Sequence, residues 1–331
     1  MDAQNPFRQN PFRVLGASTT DDLHRLIELS TEASLLGERD TEQALAALMN
    51  SNQRLDAEMN WFPRLSAGEA DALLRFPRTE REPFPSLDAM TPLARLNACR
   101  VLLDHWPVID EESAAALCLS FASAERAVHA PEVAAQLNED RAAAGVQLLS
   151  GPQAVADRIS ALRSQIVSDL FARLKKTPGL RVQAVIVACA QRYAQYRSQL
   201  IDALVDRHTL SRSDEIRRRR EEIEALCGQV LADCGSAKRI ELCRQIDVAL
   251  KAWGEATCAQ RHLEAAKGLQ TPESDDLCRM VLNLSVDLNN SLGLRSSSVT
   301  LTQRMIDVFF NLPKHQPLLR SNLHIMTGVR S

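Results

Sequence analysis

The sequence predicts an all-α fold, on three observations. Apolar residues recur every three to four positions along most of the 331-residue chain, the period of a helix that buries one face. Aromatic residues make up only 4% and glycines number twelve, while Ala, Leu and Arg are frequent, a balance that favours helix over sheet. Proline and glycine mark the ends of the periodic stretches, where a helix has to stop or start.

The elements follow in order. A tandem opens the chain, Asn5-Pro6-Phe7-Arg8 and then Asn10-Pro11-Phe12-Arg13, whose prolines initiate turns. Thr19 and Asp22 form a capping signature ahead of Leu23, Leu26, Ile27, Ser30 and Ala33, which predicts a helix over about 20–36. Gly37 ends it, and Thr41 opens a second helix with Ala44, Leu45 and Leu48 on one face, so the two pack as a hairpin. Asn50-Ser51-Asn52 interrupts the pattern, and Leu55, Met59 and Phe62 resume it, with Trp61 beside them and Pro63 as terminator. These aromatics are expected to pack the third piece onto the hairpin as a small cooperative unit.

Pro77, Pro83, Pro85 and Pro92, set among charges, read as an extended connector. The expected domains are therefore a helical module at 1–75, a connector at 76–92, an antiparallel α-helical bundle at 93–312 and a loosely ordered tail at 313–331. Within the bundle, Leu96, Cys99, Leu103 and Trp106 line one helix, Asp110-Glu111-Glu112 opens the next, and Pro131 sits in the first turn of another. Val155, Ile159, Leu162, Ile166 and Leu170 form the inner stripe of a helix to Lys176. The segment 180–206 is apolar on more than one side at Val185-Ile186-Val187 and predicts a single enclosed helix. Amphipathic helices then carry Ile216, Ile223, Leu226 and Val230, and Cys243, Ile246, Leu250 and Trp253. The last pair carries Leu277, Val281, Leu284 and Leu288, then Thr302, Met305, Phe309 and Leu312, joined across Gly293 and closed by Pro313.

Asn10-Pro11-Phe12-Arg13-Val14-Leu15-Gly16, then a capped helix, a short loop, a second helix and Arg54-Leu55 ahead of Glu58 and Trp61, resembles the J domains of DnaJ-type co-chaperones, and more closely a truncated bacterial subgroup beginning with an Asn-Pro-Phe-Arg stretch. The resemblance covers about residues 10–62. An active J domain carries His-Pro-Asp between its two long helices, where this chain reads Leu36-Gly37-Glu38-Arg39-Asp40. The resemblance therefore implies a docking module and not stimulation of an Hsp70 ATPase. A weaker resemblance, to a tetratricopeptide-type hairpin, lies at Leu284 to Asn290 and its partner helix; no sustained period of about 34 residues accompanies it.

Composition bounds the function. Apolar residues are 45% and charged residues 24%, as in ordinary globular domains. Lys and Arg total 39 against 42 Asp and Glu, a net charge of −3, so no global basic field holds nucleic acid. The eight cysteines, including Cys227 and Cys234, stand singly in apolar stretches and read as reduced core residues, with no metal or other cofactor expected. No apolar leader or long uncharged apolar run occurs, so a cytoplasmic protein outside the membrane is expected.

No Gly-rich phosphate loop, HExxH or Ser-centred elbow is present, and adjacent Asp104-His105 point apart on a helix, so a non-enzyme is expected. Arg217-Arg218-Arg219-Arg220 is the one dense basic run. On a helix it fans around the circumference, and Glu215, Glu221, Glu222 and Glu224 allow pairing, Arg217 with Glu221 among them. The expected role is that of a protein-interaction adaptor or scaffold with Phe7 and Trp61 as candidate anchors. The alternatives are an RNA- or DNA-associated protein using Arg217, Arg218, Arg219 and Arg220, which those pairings disfavour, and an enzyme of unrecognised type.

Overall fold

The computed structural model of the chain describes residues 7–36, 40–75, 87, 89–103, 108–232 and 235–328. Among these the fold is all α, seventeen helices without a strand. The chain folds as two compact units, 1–182 with 196–203, and 183–195 with 204–331.

In the first unit α1 spans Pro11–Leu15, α2 Leu23–Leu35, α3 Thr41–Met49, α4 Ser51–Met59 and α5 Ala67–Leu74. α6 (Pro92–Leu102), α7 (Glu111–Arg126), α8 (Ala130–Ala143) and α9 (Gln153–Lys176) complete it. The caps explain the boundaries. Asp22 caps α2 by accepting from Arg25 N, so that helix begins three residues later than its pattern suggests. Asn50 caps α4 by accepting from Asn52 N and Gln53 N. Asp110 and Ser113 form a reciprocal capping box on α7. The expected α2–α3 hairpin is present, and both helices pack against α1.

Phe12, Leu26, Leu48, Ala57, Trp61 and Phe62 share one core with Ala94 and Ala98 of α6. Asn97, fully buried, donates to Met59 O at 2.9 Å and Trp61 O at 2.7 Å. The helices expected on either side of a connector thus belong to one unit, because α6 supplies the apolar lid that the short helices lack. Most of the 76–92 connector, with Asp104-His105-Trp106, Gly37 to Arg39 and Cys234, lies outside the described residues.

The single helix expected over 180–206 is three pieces: α10 (Val182–Gln191), α11 (Tyr193–Tyr196) and α12 (Gln199–Ser211). Arg197 at φ 46° turns the chain. Ser198, which donates to Glu125 Oε2 at 2.8 Å and accepts from Leu200 N at 3.1 Å, starts it again.

The second unit contains α13 (Ser213–Leu231), α14 (Ser236–Lys267), α15 (Pro272–Asn290), α16 (Arg295–Val308) and α17 (Gln316–Thr327). Its core gathers Ile223, Val230, Ile246, Leu250, Leu277, Val281, Met305 and Phe309, the stripes the spacing predicts. The tail expected to be loosely ordered is instead helical from Gln316 to Thr327, because Pro317 starts a new helix and Leu319 and Met326 are buried. Among the described residues no helix is long and apolar enough to cross a membrane.

Candidate functional site

The second Asn-Pro-Phe copy is a structural joint. Asn10, nearly fully buried, accepts from Phe12 N at 3.0 Å and donates to Ala57 O and Asn60 O at 2.9 Å each. It thus caps α1 while tying it to α4. Gly16, at φ 63°, closes α1 in the left-handed conformation that a side chain resists. Of the first copy, Phe7 is buried too. Phe7 stacks on Phe62 with ring centroids 5.6 Å apart, and Arg100 lies 4.9 Å from the Phe7 centroid. Burial lowers the Arg100 pKa to about 10.

Beneath α4 lies a buried ion triad. Glu58 accepts from Arg54 Nε at 2.9 Å and from Arg141 Nε at 3.0 Å, and Arg141 Nη2 lies 2.9 Å from its second oxygen. Arg54 also donates to Thr19 O at 2.9 Å, and Arg141 to Gln147 O at 3.0 Å. Thr19, expected as a cap, donates instead to Asp140 Oδ2 at 2.8 Å. Burial pushes the Glu58 carboxyl pKa up, against the pull of both guanidiniums. The triad fixes α4 to α8 and fully engages Glu58, which leaves that carboxylate no free chemistry.

On this frame stands a groove of about 570 Å³, walled by Phe12, Leu15, Leu36 and Trp61 and edged by Arg8, Arg13 and Arg75 with one carboxylate, Asp71. Asp71 pairs with Arg75 at 2.6 Å. Leu35 and Leu36, at the end of α2, are 83% and 84% exposed.

The structure brings Phe7 and Trp61 together, each packed on Phe62, and buries both at 2% exposure. Neither is an exposed anchor, although Trp61 reaches the groove wall. Arg217 to Arg220 stand in the other unit, on α13. Arg217 pairs with Asp214 at 2.8 Å rather than with Glu221, and Arg219 and Arg220 pair with Glu222 and Glu224 at 2.8 Å. Arg218 is exposed.

Two features escape the sequence reading: the gathering of Arg8, Arg13 and Arg75 around one groove, and the triad. Of these residues only Arg54 and Glu58 left a signal, an ion pair at i,i+4 inside an apolar stripe. Among the described residues no three His, Cys, Asp or Glu side chains gather as a metal site. No protein-family model matches the chain, and no curated protein or solved structure matches it.

Proposed function

We propose that the chain is a non-catalytic protein-interaction adaptor or scaffold whose N-terminal helices are the docking module. Its groove takes a partner segment that carries both carboxylates and apolar side chains. The observation that carries this reading is the make-up of the groove: three arginines against one carboxylate around an apolar floor, with Leu35 and Leu36 exposed at the end of α2. Complementary charge selects an acidic partner, and exposed leucines beside a pocket favour apolar anchors.

The likeness to a J domain supports the same reading. A short α1 follows Asn10, and α2 and α3 pack against each other. Leu36 to Asp40 carries no His-Pro-Asp, so the module docks without accelerating an Hsp70 ATPase. A single-turnover ATPase assay tests that half, and acceleration comparable to an intact J-domain protein overturns it.

Selection of short random peptides on the full chain tests the other half. Sequences rich in Asp or Glu interleaved with Leu, Ile or Phe are expected, and their binding is expected to weaken in Leu36→Asp. Enrichment of basic peptides, or equal binding by that variant, places docking elsewhere. A salt-dependent gel shift separates this reading from phosphate tracking by α13, which weakens steeply as salt rises.

A further inference from the structure

The second unit holds a buried arginine that makes no ion pair among the described residues. Arg261 is 3% exposed, and among the described residues no carboxylate lies within ion-pair distance of it. Its Nε donates to Thr257 Oγ1 at 3.0 Å and its Nη2 to Gly254 O, while Nη1 is buried with no acceptor. The guanidinium lies 5.8 Å from the Trp253 ring centroid and 5.2 Å from that of Phe310. Burial lowers its pKa to about 10, which still leaves it charged at neutral pH. Glu264, three residues along α14 and itself buried, acts on it through space but makes no direct contact, and a dehydrated cation without an ion pair is expensive to keep.

Both Arg261 and Trp253 line a cleft of about 340 Å³ formed by α13, α14 and the start of α15. Trp253 Nε1 is a second buried N–H without an acceptor. Arg217 and Arg220 stand on the α13 wall, beside the apolar Ile216, and Glu273 is the one carboxylate among the lining residues. α15 begins there without a side-chain cap, since Thr271 donates to Ser274 Oγ at 2.9 Å instead of accepting from the backbone. Its first N–H groups add partial positive charge to the same cleft.

We propose that this cleft binds a small amphipathic organic anion, an apolar body bearing a single carboxylate or phosphate, with the head toward Arg261 and Arg220 and the body on Ile216 and Trp253. The volume suits such a molecule, and the anion supplies the direct ion pair that Arg261 lacks. Arg220 contributes from the rim, its Nε held by Glu224 at 2.8 Å. Arg218, exposed and absent from the lining, contributes nothing.

Naphthoate, naphthyl phosphate, naphthol and inorganic phosphate, titrated by calorimetry into the full chain, test this. Both naphthyl anions, or one of them, are expected to bind one to one, about tenfold or more tighter than naphthol, the difference expected of one charge-assisted hydrogen bond. Whichever anion binds better identifies the head. Arg220→Gln is expected to weaken that binding about tenfold on the same ground, and Arg218→Gln to leave it unchanged. Arg261→Gln is expected to abolish it; because that side chain also holds α14 together, Arg220→Gln is the variant that decides. Absence of binding by both anions, naphthol binding as tightly as they do, inorganic phosphate binding as tightly as naphthyl phosphate, or equal binding by Arg220→Gln and wild type each overturns the proposal.

Discussion

Replacing Glu58 by alanine leaves two guanidiniums facing each other with their shared carboxylate gone. Arg54 and Arg141 are 1% and 0% exposed, so water does not replace it. Breaking a buried ion pair by removing one partner costs about 3–5 kcal/mol. The lost methylene adds about 0.8 kcal/mol before any cavity term. A loss of about 4 kcal/mol or more is expected, comparable to the whole stability of a small domain at about 5–15 kcal/mol. Urea unfolding followed by circular dichroism, with hydrogen exchange to locate the change, is the assay. Protection should fall in α1 to α9 while α13 to α17 keep theirs. The double variant Glu58→Leu/Arg141→Met is expected to lose less than Glu58→Ala, because it strands one charge rather than two. A loss below about 1 kcal/mol for Glu58→Ala, the range of exposed pairs, would falsify the claim that the triad is dehydrated.

Three further outcomes are expected. Gly254→Ala should destabilise the second unit despite a helix-propensity gain of about 1 kcal/mol, because a Cβ there would stand 2.8 Å from Cγ2 of Val308, a stiff branched side chain; a thermal melt that rises contradicts this. Asp275 accepts from Lys314 at 2.6 Å, from His315 at 2.7 Å and from Arg279, and these bonds, that from Lys314 foremost, hold its carboxyl well below the usual range. With the folded pKa depressed, its contribution is present above the unfolded value of about 4 and lost as pH falls below it. The stability gap between wild type and Asp275→Asn should therefore be flat from neutral pH to about 5 and close in stronger acid, and a gap that widens in acid refutes it. Burial pushes the thiols of Cys227 and Cys278 up to about 12 and that of Cys99 to about 11. A disulfide reagent at neutral pH should label these three slowly in the native chain and all eight cysteines after denaturation; fast labelling at Cys99, Cys227 or Cys278, or fewer than eight thiols once denatured, contradicts it.

The helices were legible where a local pattern sufficed. The stripes through Leu55, Met59, Trp61 and Phe62 and through Leu277, Val281, Leu284 and Leu288 are buried as their spacing predicts. What escaped was set by distant partners. Ser198 breaks the 180–206 segment by bonding Glu125, 73 residues away, and Arg141 meets Glu58 across 83 residues, a pairing no spacing announces. α6 joins the N-terminal core through Asn97, a polar residue on an apolar stripe. α17 lay hidden behind Pro313, which read as the end of the helical region, although α16 already stops at Val308 and Pro317 starts another helix. Arg261 did leave a trace, since Leu250, Trp253, Thr257, Arg261 and Glu264 follow one helical stripe and all five are buried. An arginine at such a position needs a partner.

The docking claim is tested most directly by a charge swap across the groove. A peptide selected on the wild-type chain is measured by fluorescence polarisation against Arg13→Glu/Arg75→Glu, then again with its carboxylates replaced by lysine. The account predicts that the acidic peptide loses about tenfold or more against the double variant and that the lysine peptide recovers most of the loss there, while binding wild type poorly. Equal affinity of the acidic peptide for wild type and the double variant would contradict it.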